Sequence, residues 1–186
     1  EAAIYTKDAR KLLDDTQKAD LFTHATRVKQ SRRFEYVNAE LDEDPEVLKH
    51  VYDLQNLINE ARNNLTTYDM RQPFWIIIET IDEDDNSNIK QVDLFAEYAN
   101  VTVQQVASSN KWWRMKPKDQ EPFCEDLKVS HAYLFKNTDR AVQTKVLEHY
   151  NKYSPSEQGG PLWLKLVLDE ITTTSSKAVE HLIAQV

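Results

Sequence analysis

The apolar residues of this chain fall into helical spacing over most of its length. The clearest case is "DPEVLKHVYDLQNLINEARNNL", where Val47, Val51, Leu54, Ile58, Ala61 and Leu65 recur at steps of 4, 3, 4, 3 and 4. Such a seam lines one side of a helix. Asp44 offers an N-cap, and Pro45 suits the first helical position. The seam predicts an antiparallel partner helix within the same domain. An intermolecular helix pair through Val47, Val51, Leu54 and Ile58 is the alternative. Upstream, Leu12, Leu13, Ala19, Phe22, Ala25 and Val28 make a less even stripe, which predicts one or two helices between residues 5 and 41.

The pattern changes at "QPFWIIIET". Pro73 disfavours helix at Gln72. Phe74 to Ile78 is an unbroken aromatic and β-branched run, which predicts a short buried strand. The acidic turn "DEDDNSN" follows, and "IKQVDLF" returns as a second strand, giving one hairpin near residues 74–95. That turn has neither the glycine nor the ligand spacing of a calcium loop, so it reads as solvated. Helical pattern resumes with "VTVQQVASSNKWWRM", where Thr102 and Gln105 form a capping box. Trp112 and Trp113 are adjacent and point about 100° apart on a helix. They form either the edge of a core or a partner surface, since tryptophan is enriched at binding hot spots.

The loop "KPKDQEP" precedes the helix "CEDLKVSHAYLFKN", with Leu127, His131, Leu134 and Phe135 on one side. A further helix, capped by Thr138, groups Val142, Val146, Leu147, Tyr150 and Tyr153. "SSKAVEHLIAQV" predicts a last helix capped by Ser175 or Ser176.

The chain holds only two glycines in 186 residues, and they are neighbours, Gly159 and Gly160. They allow a left-handed turn and close packing before Pro161, which is suited to start a helix. Leu162, Trp163, Leu164, Leu166, Val167 and Leu168 then cover almost every face, so this helix is expected at the centre of the fold. Gly159, Gly160, Pro161, Trp163 and Leu166 are its expected core positions. Scarce glycine also excludes nucleotide-binding loops of the GxGxxG and P-loop kinds, and argues against an all-β sandwich.

Charge and cysteine content narrow the function. With 23 basic and 31 acidic residues, the net charge of -8 argues against the whole surface serving as a nucleic-acid platform. A local cluster remains in "RVKQSRR": Arg27, Lys29, Arg32 and Arg33 are candidate RNA contacts, or else a solvated face beside Glu35 and Glu40. The lone Cys124 excludes an internal disulfide and a Cys-rich zinc site, and it suits a cytoplasmic setting. No run approaches membrane-spanning length, so no membrane contact is expected. A start at Glu1 is what a piece of a longer protein would show. The five histidines are scattered outside any catalytic motif. Cys124 and His131 would lie about 10 Å apart along one helix, too far for a nucleophile and its base. Neither enzyme chemistry nor a cofactor or metal is expected.

Three segments, "LTTYDMRQPFWII", "VDLFAEYANVTVQQVASSNKWWR" and "LKVSHAYLFKNTDRAVQTKVLEHYNKYSPSEQGGPLWLKLVLDEITTTSSKAVEHL", resemble the capsid-like region of Copia-type retrotransposon Gag proteins. The resemblance implies a mainly α, multi-helix capsid-like domain over 67–186, with 1–66 as a helical segment packed on it. It further implies self-assembly into a homo-oligomeric shell around element RNA. RNA binding in that family often sits in a C-terminal basic or zinc-knuckle region, and no knuckle occurs in this chain. A monomeric helical adaptor, binding a protein through an aromatic groove near Trp112 and Trp113, is the alternative.

Overall fold

The computed structural model describes residues 13–28, 33–36, 44–115 and 120–184. It is mainly α-helical with one antiparallel hairpin. The helices are α1 (Asp15–Val28), α2 (Asp44–Thr67), α3 (Leu94–Glu97), α4 (Val103–Arg114), α5 (Gln120–Lys136), α6 (Arg140–Tyr150) and α7 (Gly160–Ala184). The strands are β1 (Trp75–Ile81) and β2 (Ser87–Asp93), paired from Trp75↔Asp93 to Ile81↔Ser87. Helix α7 packs against α2, α4, α5 and α6.

The two glycines mark a point of closest approach. Gly159 has φ +152°, and a Cβ there would come within 2.8 Å of Leu127 Cδ2. At Gly160, the first residue of α7, a Cβ would meet Ser130 Oγ at 2.1 Å and Ser130 Cβ at 2.7 Å. Any side chain would therefore push α7 off α5. Leu162, Trp163, Leu164, Val167, Leu168 and Ile171 are all buried. Trp163 packs among His131, Phe135 and Tyr150, with ring centroids 5.1–5.4 Å away. Its indole N–H donates to Thr138 Oγ1 at 3.2 Å. The Leu166 assignment needs correction, because Leu166 is only partly buried while Lys165 is buried. The lysine head is satisfied by Tyr98 O at 2.8 Å and Asp169 Oδ1 at 2.7 Å, so its stem lies in the core at little cost.

Residues from both sides of the 66/67 boundary enter one buried cluster, which includes Leu13, Leu21, Phe34, Leu57, Ile58, Ala61 and Leu65 as well as Trp163. Asn64 ties α2 to α5 by donating to the Tyr133 hydroxyl at 2.8 Å. The segment at Phe34 forms a strap. Phe34 N–H donates to Asn137 O, Asp139 N–H donates to Phe34 O, and the Phe34 ring is buried under the α5–α6 junction.

Several boundaries differ from the sequence pattern. Phe74 belongs to a 3-10 turn, Gln72–Phe74, and not to the strand. Helix α5 starts at Gln120, so part of the expected "KPKDQEP" loop is helical. Asp139, and not Thr138, caps α6 by accepting from Ala141 N–H. Thr138 is buried and donates its hydroxyl to Leu134 O. No separate helix begins at Ser175 or Ser176, because α7 runs on unbroken. Neither Gly nor Pro interrupts that stretch, and nothing else there stops a helix. In α1 the buried position is Leu21, while Ala19 is exposed.

Candidate functional site

The hairpin is pinned at its base. Trp75 O accepts from Trp113 Nε1 at 3.0 Å, and Ile77 N–H donates to Ser109 Oγ at 2.8 Å. Both partners come from α4, so this helix lies along the edge of β1 that faces away from β2. Arg71 reaches across the base to Asp93 at 2.6 Å and stacks its guanidinium 5.2 Å from the Trp75 ring. Asp93 also accepts from Phe95 N–H, which caps α3.

Both faces of that base are covered. Ile76 and Val92 face the main core. Ile77 packs with Trp113, Phe123 and Leu127 in a second, smaller cluster. The capping box holds as expected. Gln105 N–H donates to Thr102 Oγ1 at 3.1 Å, and Thr102 N–H donates to Gln105 Oε1 at 2.9 Å. It fixes the first turn of α4 beside the outer part of β1.

Between β1 and α4 lies a groove of about 330 Å³. Ile77, Ile78 and Glu79 form its strand wall, and Thr102, Gln104, Gln105, Ser108 and Trp112 its helix wall. The two tryptophans divide as their angle requires. Trp113 is fully buried, whereas Trp112 is half-buried on the groove, edge-on to Trp113 with centroids 5.0 Å apart. The groove thus combines an aromatic face, amide and hydroxyl side chains, and strand backbone. That set suits polypeptide recognition and contains no nucleophile paired with a base.

No protein-family model, curated protein or solved structure matches the chain. The likeness to Copia-type Gag therefore rests on the three segments quoted above.

Other predicted positions are dispersed. Ile58 is buried within this chain's own core and Leu54 is partly buried. The side chains of Val47 and Val51 lie outside the described residues. So do the side chain of Arg27 and the whole of Lys29 and Arg32. Arg33 is described, and it donates to Lys136 O at 2.6 Å. On the far side of α4, Arg114 and Asn110 hold the 154–158 loop: Arg114 donates to Ser156 O and Gln158 O, and Asn110 to Glu157 O. Burial lowers the pKa of Arg114, opposed by the nearby Cys124 and Tyr150. His131 stacks on Tyr150 at 4.6 Å and burial holds its pKa down to about 4. Burial also pushes the Tyr150 phenol up to about 12, against a hydrogen bond from the Gly159 backbone. Among the described residues, no group of three or more His, Cys, Asp or Glu side chains is placed to hold a metal, and no helix is long and apolar enough to cross a membrane.

The sequence pattern points to an aromatic groove near Trp112 and Trp113, but not to β1 as its opposite wall. The strand wall and the helix wall are each visible as patterns; their facing arrangement depends on Ser109 and Trp113 reaching the β1 backbone, which no local spacing encodes.

Proposed function

We propose that this chain is a non-catalytic protein-interaction domain whose β1–α4 groove receives a polypeptide partner. The observation that carries this reading is Trp112 standing half-buried at the wall of an open groove while its neighbour Trp113 is wholly enclosed. Aromatic rings in that position are common anchors of binding energy. The second reading, a self-assembling capsid-type domain packaging RNA through Arg27, Lys29, Arg32 and Arg33 and through regions outside this chain, is favoured by the Gag resemblance. It is also favoured by two exposed isoleucines on the hairpin, Ile81 at 74% and Ile89 at 44%.

One experiment separates the two. Sedimentation velocity at rising protein concentration, in low and high salt, is run on the wild type and on Trp112→Ala, alongside binding of short peptides. For an interaction domain, a monomer at all concentrations is expected, with peptide binding reduced about tenfold or more in Trp112→Ala. Concentration-dependent assembly that strengthens as salt screens the negative charge would replace that reading with the capsid one.

A further inference from the structure

We infer that the groove is a strand-addition site: its occupant is an extended, basic polypeptide segment that joins β1 as a third strand. This rests on the interaction-domain reading and names the partner's chemistry. In an antiparallel pair, the N–H and C=O of one residue point the same way, and the direction alternates along the strand. The Trp75 carbonyl and the Ile77 N–H point toward α4, as their bonds to Trp113 and Ser109 show, while the Trp75 N–H closes the preceding 3-10 turn on Gln72 O. Glu79 and Ile81 share that parity, so their backbone groups face the same edge. No described residue pairs with the Glu79 or Ile81 backbone on that side. The helix covers the edge only at its base, and the groove opens where the covered part ends.

The edge therefore offers alternating donors and acceptors in strand register, which a polypeptide backbone complements and a small molecule does not. Among the described residues, none of β2 lines the groove. Side-chain preference follows from two further features. Ile81 and Ile89 lie on one face of the hairpin, given the pairings Glu79↔Ile89 and Ile81↔Ser87. An added strand would lay alternate side chains beside Ile81, favouring apolar residues there. Charge fixes the rest. Glu79, Asp82, Glu83, Asp84 and Asp85 crowd this end, and no Lys or Arg occurs from Ile76 to Ile89. A second copy of this chain would bring another acidic tip, whereas a lysine- or arginine-bearing segment complements it.

The test uses the full chain and two pools of short peptides. One is randomised over Val, Ile, Thr, Lys and Arg; the other carries Asp and Glu in place of the basic residues. The basic pool is expected to be retained, and the acidic pool is not, with the difference shrinking as salt rises. In a retained sequence, single N-methylation is expected to weaken binding with a period of two residues, about three- to tenfold at each sensitive position. Equal retention of both pools, or a flat methylation profile, overturns the inference. If such a flat-profile peptide still loses binding in Trp112→Ala, the groove reading survives without the added strand. If neither pool binds, both readings fall. A dimer abolished by Ile81→Lys would identify the occupant as a second copy and overturn the inference as well.

Discussion

Helix α7 and strand β1 each carry an apolar run that begins just after a proline, "PLWLKLVL" and "PFWIII", yet their fates differ. The helix is enclosed for three turns from Gly160, and even its lysine is buried. The strand is enclosed only as far as Ile77, after which Glu79, Thr80 and Ile81 stand in solvent. Hydrophobicity alone does not distinguish them. The difference lies in what surrounds each. Helices α2, α4, α5 and α6 all pack on α7, whereas β1 has β2 on one edge and one turn after another of α4 on the other until that helix ends. Burial is a property of the neighbours, and the open half of β1 is where the described neighbours run out.

The contrast is tested most severely at Trp163. Trp163→Ala should cost about 3–5 kcal/mol, the range for truncating a buried large aromatic, read as a shift in the denaturation midpoint at unchanged slope. An unchanged midpoint would mean that the enclosed region is not enclosed.

The second effect is smaller and depends on pH. Burial depresses the His131 pKa from 6.5 to about 4, so between those values the unfolded chain binds a proton that the folded chain refuses. Stability attributable to this group should fall as pH drops from 6.5 to 4, and level off below, by about 3 kcal/mol in all. His131→Phe keeps an aromatic ring against Tyr150 and should remove that dependence. The comparison of wild type with His131→Phe by urea titration across this pH range isolates it from the carboxylates. Identical pH profiles for the two proteins would show the imidazole to be solvated.

Smallest of all should be Ile81→Lys. With the side chain 74% exposed, its stability change should stay within about 0.5 kcal/mol of zero by the same measurement. A loss near that of Trp163→Ala would show that the outer hairpin is packed against something, and would erase the difference between the two regions.

Much of this architecture was legible in the sequence. The Thr102–Gln105 box, the paired strands and the tight Gly159–Gly160 turn are local devices, each written in a few adjacent residues. What local pattern does not encode is long-range. Lys165 is buried because Tyr98, far away in sequence, supplies a carbonyl. Thr138 looked like a helix cap, yet its hydroxyl serves the Leu134 carbonyl and the Trp163 indole, leaving the cap to Asp139. Ser175 and Ser176 carry cap-type side chains inside a continuing helix, and a preference for caps does not end a helix that nothing else breaks. The strand wall of the groove belongs with these cases, since it exists only once α4 is laid along β1, whereas its aromatic wall at Trp112 is local.

The strap at Phe34 places a further constraint on how this chain reaches its native state. Arg33 and Lys136 are 103 residues apart in sequence, and their contact closes a loop containing α2, both strands and the helices through α5. Closing so long a loop carries an entropic cost that grows with the logarithm of its length, and the reward comes only after both ends are already shaped. For a mostly helical protein this is an unusual burden: its local helices form quickly, but its topology is completed by a distant pairing of the kind that governs the folding times of β-rich chains.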